Sequence, residues 1–424
     1  METHKIVIVG AGFGGLRTAL ELAKRKVRLK AFEITLVDPR PEHLYTPLLY
    51  EVSSGDLELS SDACVGELQS GACVQIDAVR NIIKKRNIRF AQGSVATVDA
   101  TEQNVVLSTG ETIPYDDLVI AVGVESATYG IAGADRYALP MKTLKDAFAI
   151  RQRMFEFIRS YKDGKAKHLS ILVVGGGASG TEFASETANF FHRMVDEETL
   201  LRWDYDISLV EAGPDILSMF PAPVRHCARE RLHALGINVL AATKLKSVEA
   251  NAVTLERADG TAVRHDADVI VWTAGVKPLD AVKGWNLPVD ERGFIKVTPN
   301  FLVEGSKNVY AIGDCASFVH PKTKKRVPAL AQAAVKEAAI VAENIARTLE
   351  RKLPMSWTPP ERWITVVPMG GAYAIADFGW FHLTGILGYL VRKVADLQYF
   401  ISILPIDEAW RLWSSGAKVY RKND

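Results

Sequence analysis

Two short glycine-rich stretches constrain this 424-residue chain more than any other feature: Gly10-Ala11-Gly12-Phe13-Gly14-Gly15 and Gly175-Gly176-Gly177-Ala178-Ser179-Gly180. Each follows an apolar run, Ile6-Val7-Ile8-Val9 in one case and Ile171-Leu172-Val173-Val174 in the other, and each opens a stretch of helical period. A buried run that stops at glycine and turns directly into a helix is the start of a βαβ unit in a parallel sheet. Gly10, Gly12 and Gly15 occupy the three positions of a G-x-G-x-x-G spacing, and Gly175, Gly177 and Gly180 repeat it. In that spacing the first glycine makes the tight turn, the second lets a pyrophosphate approach the backbone, and the third lets helix and strand pack closely. The free N–H groups at the helix start then face the phosphates.

A second strand follows each loop and ends in an acid. Phe32-Glu33-Ile34-Thr35-Leu36-Val37 delivers Asp38, 28 residues after Gly10, and Ile207-Ser208-Leu209-Val210 delivers Glu211, 36 residues after Gly175. Both gaps exceed the usual spacing of about 20. In the first unit the basic stretch Lys24–Lys30 reads as the insertion that makes up the difference. A carboxylate at that place accepts from a ribose hydroxyl and repels a 2′-phosphate. No arginine directly follows Glu211, so the second site is expected to prefer NADH over NADPH.

Composition narrows the class further. Hydrophobic residues make up 48% and charged residues 24%, which excludes a disordered or fibrous chain. Lys+Arg 51 against Asp+Glu 50 gives no basic surplus, so no nucleic-acid partner is expected. Cys64, Cys73, Cys227 and Cys315 include no C-x-x-C pair, so neither a metal site nor a redox dithiol is expected, and a reducing compartment is the simplest setting. The apolar run after Lys5 is broken at once by glycine and is a strand, not a signal peptide. No run approaches the length of a membrane span.

Three further runs end at glycine. Asp117–Val122 stops at Gly123, Asp268–Ala274 stops at Gly275, and Asn308–Ile312 delivers the pair Gly313-Asp314. Together with the two loops, these motifs resemble the two-dinucleotide-binding flavoproteins of the glutathione-reductase-like superfamily. That resemblance implies FAD on the first loop, a nicotinamide nucleotide on the second, and Asp314 near the flavin ribityl chain. It also implies an α/β fold of two Rossmann-like domains, with the NAD domain inserted in the FAD domain. The expected boundaries are 1–120 and 291–355 for FAD, 121–290 for NADH, and 356–424 for a C-terminal membrane-associating region.

Disulfide reductases of that superfamily carry a C-x4-C after the ribose acid, but residues 41–55 here contain no cysteine. The core His43-x-x-x-Pro47-Leu48-Leu49-Tyr50 is similar to the type II NADH:quinone oxidoreductases, whose segment passes beside the flavin. Ala331-Gln332-x-Ala334-x-Lys336 resembles their A-Q-x-A-x-Q segment, with Lys336 in place of the second glutamine. The resemblance implies roles for Ala331, Gln332, Lys336 and Pro47 at flavin and quinone, and for Gly14, Gly123 and Gly275 beside the cofactors. Glu182 matches a family position near nicotinamide and quinone. It reads almost as well as an acid stabilised by a helix N-terminus.

The tail carries five of the eight tryptophans: Trp357, Trp363, Trp380, Trp410 and Trp413. From Gly379 to Val394, Trp380, Leu383, Ile386, Leu387, Leu390 and Val391 recur at helical spacing, and Arg392-Lys393 divides this block from Leu397–Leu404. Such amphipathic aromatic blocks fit a helix lying in the membrane interface, and the bland alternative is a core or dimer helix. The resemblance favours the interface. It implies a peripheral enzyme on the cytoplasmic face of a prokaryotic inner membrane that oxidises NADH and reduces a membrane quinone without pumping protons, with a homodimer left open. Three alternatives use the same scaffold: a sulfide:quinone oxidoreductase, a ferredoxin or rubredoxin reductase, and a redox signalling protein akin to apoptosis-inducing factors.

Overall fold

A computed structural model describes residues 3–26, 32–54, 75–84, 86–197, 199–202 and 204–422. Cys64, Cys73 and the Val27–Lys30 part of the basic stretch lie outside the described residues. The described chain falls into two compact units. One draws on Met1–Leu44, Gln75–Glu125 and Val276–Glu361, the other on Tyr45–Val74, Ser126–Gly275 and Arg362–Asp424.

The first unit is built on a five-stranded parallel sheet in the order Val309–Ala311, Asp117–Ile120, His4–Val9, Phe32–Asp38, Ile88–Gln92. Its central strand is apolar on both faces, with Ile6, Val7 and Ile8 essentially buried, because helices or loops cover both sides of a parallel sheet. Each such buried side chain contributes about 1.5–3 kcal/mol. Val9 pairs with Val37 on one side and Ile120 on the other. The register therefore brings Gly10, Asp38 and the Gly123 strand end to one edge.

The second unit repeats the plan. Its sheet runs Leu139–Pro140, Val269–Trp272, Leu169–Val174, Tyr205–Val210, Asn238–Leu240, again all parallel. Val174 pairs with Val210 and with Trp272, so Gly175, Glu211 and the Gly275 strand end meet at one edge. In both units a three-stranded antiparallel sheet precedes the strand that pairs beside the central one: Val95–Asp99, Asn104–Leu107 and Thr112–Pro114 in one, Lys244–Val248, Ala252–Glu256 and Ala262–Asp266 in the other.

From Arg362 the tail belongs to the second unit. It forms a small antiparallel sheet, Thr365–Pro368, Ala374–Asp377 and His382–Leu383, then the helices Ile386–Ile403 and Ile406–Lys422. Two sequence expectations need correction here. Trp380 and Leu383 are not on the helix: Leu383 pairs with Ala376, and Gly385, at φ +69°, makes the turn into a helix that starts at Ile386. Nor does Arg392-Lys393 divide two blocks. The helix is continuous to Ile403, and both basic side chains are buried.

That helix is amphipathic in the reverse sense. Its buried face carries Arg392, Lys393, Asp396 and Phe400, while Ile386, Leu387, Leu390 and Val394 on the other face are 63%, 55%, 52% and 64% exposed. Among the described residues no helix is long and apolar enough to cross a membrane.

Candidate functional site

The first glycine loop is held from both sides. Gly10, at φ +102°, donates to the Val37 carbonyl at 2.7 Å, a backbone geometry glycine adopts without strain. A Cβ at Gly15 would run into the Gly10 carbonyl oxygen, whereas one at Gly12 would meet nothing within 4 Å. The loop therefore packs tightly at its ends and leaves room at its middle, where a pyrophosphate needs it. The Phe13–Lys26 helix starts immediately after.

Asp38 is buried at the strand end and accepts from Ala11 N at 2.7 Å and from Arg40 N at 2.8 Å. His43 completes the hold on Ala11, its Nδ1 lying 2.8 Å from the Ala11 carbonyl. A carbonyl can only accept, so the proton sits on Nδ1. Burial brings the His43 pKa down to about 4 and keeps the ring neutral. Ala11 is thus held through both its N–H and its C=O, one in each of its flanking peptide groups.

At the neighbouring strand end Gly313 donates to Glu337 Oε2 at 2.6 Å. Glu337 lies on the Ala331–Leu349 helix, and burial pushes its carboxyl up to about 7. Arg326 donates to the Asp314 carbonyl at 2.8 Å and covers the Phe294 ring. Gly313, Asp314, Arg326, Ala334 and Glu337 line a small recess. Gln332 stands at the start of the same helix, and Lys336 projects from its exposed side. Cys315 is buried and its thiol is pushed up to about 12 by burial, so it packs as a small apolar group and lacks the thiolate a sulfur nucleophile needs.

The second glycine loop reproduces the first atom for atom in its key contacts. Gly175, at φ +110°, donates to the Val210 carbonyl at 2.8 Å. A Cβ at Gly180 would strike the Gly175 carbonyl oxygen, and one at Gly177 would meet nothing within 4 Å. Glu211 accepts from Gly176 N at 2.7 Å and from Gly213 N at 2.6 Å. Among the described residues no cation is paired with it in the way that Arg40 accompanies Asp38. Gly275, at φ +89°, carries the Tyr129 side chain against it, closer than any Cβ would permit. Both sites thus have the shape and polarity for a dinucleotide: an open middle glycine, free helix N–H groups, and a carboxylate at the adjacent strand end.

Glu182 is the fifth residue of the Ala178–Asp196 helix. Burial pushes its carboxyl up to about 7 against the opposing pull of Arg392. Around it the second unit gathers further ionisable groups. Glu51, on the Leu49–Ser54 helix, turns Oε1 into the interior with no hydrogen-bond partner among the described residues, and burial raises its pKa well above the usual carboxylate range against the pull of Lys393. Arg392 Nε donates to both oxygens of Asp396, at 2.9 and 3.1 Å, and Arg392 Nη2 donates to the Pro47 carbonyl at 2.9 Å. Tyr45 Oη donates to Asp396 Oδ1 at 2.7 Å.

The residues read from the sequence therefore separate by unit. Gly10, Gly12, Gly14, Gly15, Asp38, Gly123, Gly313, Asp314, Ala331, Gln332 and Lys336 belong to the first, and Gly175, Gly177, Gly180, Glu182, Glu211, Gly275 and Pro47 to the second. His43, Glu337, Glu51 and the Tyr45–Arg392–Asp396 cluster escaped sequence reasoning as functional groups. One signal was available, since Arg392 and Asp396 stand at i, i+4 on a helix, the spacing of an ion pair.

Comparison with known proteins agrees with this layout. The model of the pyridine nucleotide-disulphide oxidoreductase family matches residues 4–338. The type II NADH:quinone oxidoreductase Ndh of Mycobacterium tuberculosis is 28% identical, with 94% of this chain and 84% of that protein covered. The demethylphylloquinone reductase NdbB of a Synechocystis species is also 28% identical, covering 93% of this chain and 92% of its own. NDH2 from Plasmodium falciparum, solved in complex with NADH, superposes with a TM-score of 0.82 over 97% of both chains at 21% identity, a likeness of fold. The family model takes in both glycine loops, both strand-end acids and the Gly313-Asp314 pair, and the chain belongs to the pyridine nucleotide-disulphide oxidoreductase family.

Proposed function

We propose that this protein is a flavin-dependent NADH:quinone oxidoreductase that works at a membrane surface without pumping protons. In this reading FAD occupies the site of Gly10, Gly12, Gly14, Gly15, Asp38, Gly123, Gly313, Asp314 and Ala331, with Pro47 alongside. NADH occupies the site of Gly175, Gly177, Gly180, Glu211 and Gly275. Residues 121–290 form the NADH domain between FAD segments 1–120 and 291–355, and 356–424 form the acceptor side. When bound, FAD supplies the two-electron carrier, a chemistry that no side chain here can provide.

The chain's own residues do the rest. The loop N–H groups hold the pyrophosphates. Glu211 accepts from a ribose hydroxyl, and with no cation paired to it among the described residues a 2′-phosphate is repelled, which favours NADH. Glu182, with a pKa of about 7, can hold or release a proton near neutrality. Gln332 and Lys336 are assigned to the acceptor side, Gln332 as a hydrogen-bonding group and Lys336 as a nearby positive charge.

The observation that carries the quinone reading is the reversed amphipathicity of the Ile386–Ile403 helix. Four large apolar side chains face outward while an arginine, a lysine and an aspartate face in, which fits an apolar phase on the outer side. Trp380, 86% exposed at the turn before it, extends the same surface. A lipid-soluble acceptor needs a catalyst at that boundary, here assigned to the cytoplasmic face of a prokaryotic inner membrane. The names of the bacterial relatives support the same reaction.

The test is anaerobic mixing of the flavin-loaded protein, first with NADH and then with a short-chain quinone, while flavin absorbance is followed. Bleaching by NADH and recolouring by quinone are expected. Bleaching without recolouring would overturn the quinone as acceptor and leave the NADH site standing. Flotation of the protein with anionic lipid vesicles tests the membrane surface, and Leu387→Lys with Leu390→Lys should abolish it.

A further inference from the structure

The segment Tyr45-Thr46-Pro47 is bonded at both ends to one buried ion pair. Tyr45 donates its hydroxyl to Asp396, the Pro47 carbonyl accepts from Arg392, and Arg392 and Asp396 pair with each other. Tyr45, Arg392 and Asp396 are all nearly inaccessible to solvent. Positions 392, 396, 399 and 400 lie on one side of the helix, and Tyr45 stacks on Tyr399 and meets the edge of Phe400, both at 5.1 Å between ring centroids. Four contacts thus converge on a stretch of three residues.

Stability alone does not explain the arrangement. A buried ion pair loses hydration on both partners and on balance stabilises little compared with apolar side chains of the same size, and its better-attested use is to fix one arrangement among several. What is fixed here is a short run whose preceding residues have a defined job. Two positions before Tyr45, His43 holds the Ala11 carbonyl of the first glycine loop. The chain therefore passes within three residues from a group locked to the dinucleotide loop to a group locked to the tail helix, and the same helix shows its apolar face outward.

We propose that Arg392, Asp396 and Tyr45 are positioning residues through which the Ile386–Ile403 helix sets the path of Tyr45–Leu48 and, with it, how readily the bound flavin passes electrons to its acceptor. This proposal rests on the reaction proposed above. It assigns the tail helix a part in the reaction itself, in addition to any contact with a membrane.

The test uses the full flavin-loaded protein and two conservative variants, Tyr45→Phe, which keeps the ring stack and removes one hydroxyl, and Arg392→Lys, which keeps the charge and removes the second donor. Hydrogen exchange of the peptide spanning residues 44–50 is measured with the two anaerobic half-reactions and the melting temperature. Both variants are expected to speed exchange in that peptide, because each removes a hydrogen bond that holds the segment to the tail helix. Recolouring by quinone should slow about tenfold more than bleaching by NADH does. Unchanged exchange in that peptide overturns the proposal, as does an equal loss in both half-reactions that follows the melting temperature. If Arg392→Lys does not fold, Tyr45→Phe decides. If the unmodified protein is bleached by NADH but not recoloured by quinone, the proposed reaction fails, and the exchange measurement still decides the positioning.

Discussion

The two glycine loops differ less in what they are made of than in what stands opposite them. Each has a left-handed first glycine bonded to the neighbouring strand, an open second glycine, a third glycine pressed on the first, and a strand-end acid that accepts from the residue after the first glycine. Opposite the first loop the outer strand delivers Gly313-Asp314, backed by the buried Glu337. Opposite the second, the corresponding outer strand is the two-residue Leu139–Pro140, and nothing like a Gly-Asp pair follows. The first loop thus faces a buried acid and the helix that carries it.

The comparison breaks hardest at the third glycines. Gly15→Val and Gly180→Val each place a side chain into a carbonyl oxygen that has nowhere to go, at a cost of about 3 kcal/mol or more. Gly15→Val should purify without flavin, whereas Gly180→Val should keep its flavin and lose bleaching by NADH. If both lost flavin, the assignment of one nucleotide to each loop would be wrong. The absorbance spectrum of each purified variant is the measurement.

Next in size is the acid of the second loop. Glu211→Gln removes a charge-assisted acceptor worth about 1.5–3 kcal/mol and the repulsion of a 2′-phosphate. The ratio of kcat/KM for NADH over NADPH should fall at least about tenfold, while flavin content stays as it was. Asp38→Asn is the mirror experiment, expected to weaken flavin retention and leave the nucleotide ratio alone.

A smaller effect separates the two raised carboxyls from ordinary ones. Glu182 and Glu337 each titrate near about 7 in the folded chain against 4.5 in the unfolded one. Each therefore contributes stability that is fully present below pH 4.5 and lost as pH rises through about 7. The melting temperatures of Glu182→Gln and Glu337→Gln should gain on the parent protein between pH 4.5 and 8, by a few degrees each. His43 runs the other way. Its depressed pKa of about 4 gives stability that is present above pH 6.5 and lost as pH falls toward 4, so the gap between parent and His43→Asn should narrow on acidification.

The smallest effect is expected at Lys336, which sits on the exposed side of the helix whose buried side carries Glu337. Lys336→Gln should change stability by less than about 0.5 kcal/mol. Any role at the flavin would show as a shifted midpoint potential, and an unchanged potential would remove Lys336 from the acceptor side.

Reading along the chain was reliable wherever the physical constraint is local. Gly10, through its left-handed φ, and Gly15, pressed on the Gly10 carbonyl, are constrained within six residues, and Asp38 follows its strand at a point set by the strand's length. The same holds for Gly175, Gly180 and Glu211. The tail misled for the opposite reason. Trp380, Leu383 and Ile386 repeat at helical spacing, yet pairing of His382–Leu383 with the preceding strand delays the helix until after Gly385. Arg392 and Lys393 read as charges for a lipid interface, because in sequence a charge is cheapest in water.

Their burial depends on partners that lie far along the chain. Asp396 is four residues from Arg392, but Pro47 is 345 residues away and Tyr45 is 351 residues from Asp396. Glu337 shows the same limit: beside Lys336 it looks like one more surface charge until the fold sets Gly313 N–H 2.6 Å from its carboxylate. The order of residues was enough for two parallel sheets, two dinucleotide loops and their acids, since backbone sterics and strand periodicity act between near neighbours. Which charges are buried, and which apolar face is left outward, depended on tertiary packing, because the free energy of a buried ion is decided by whatever the fold brings within hydrogen-bond reach.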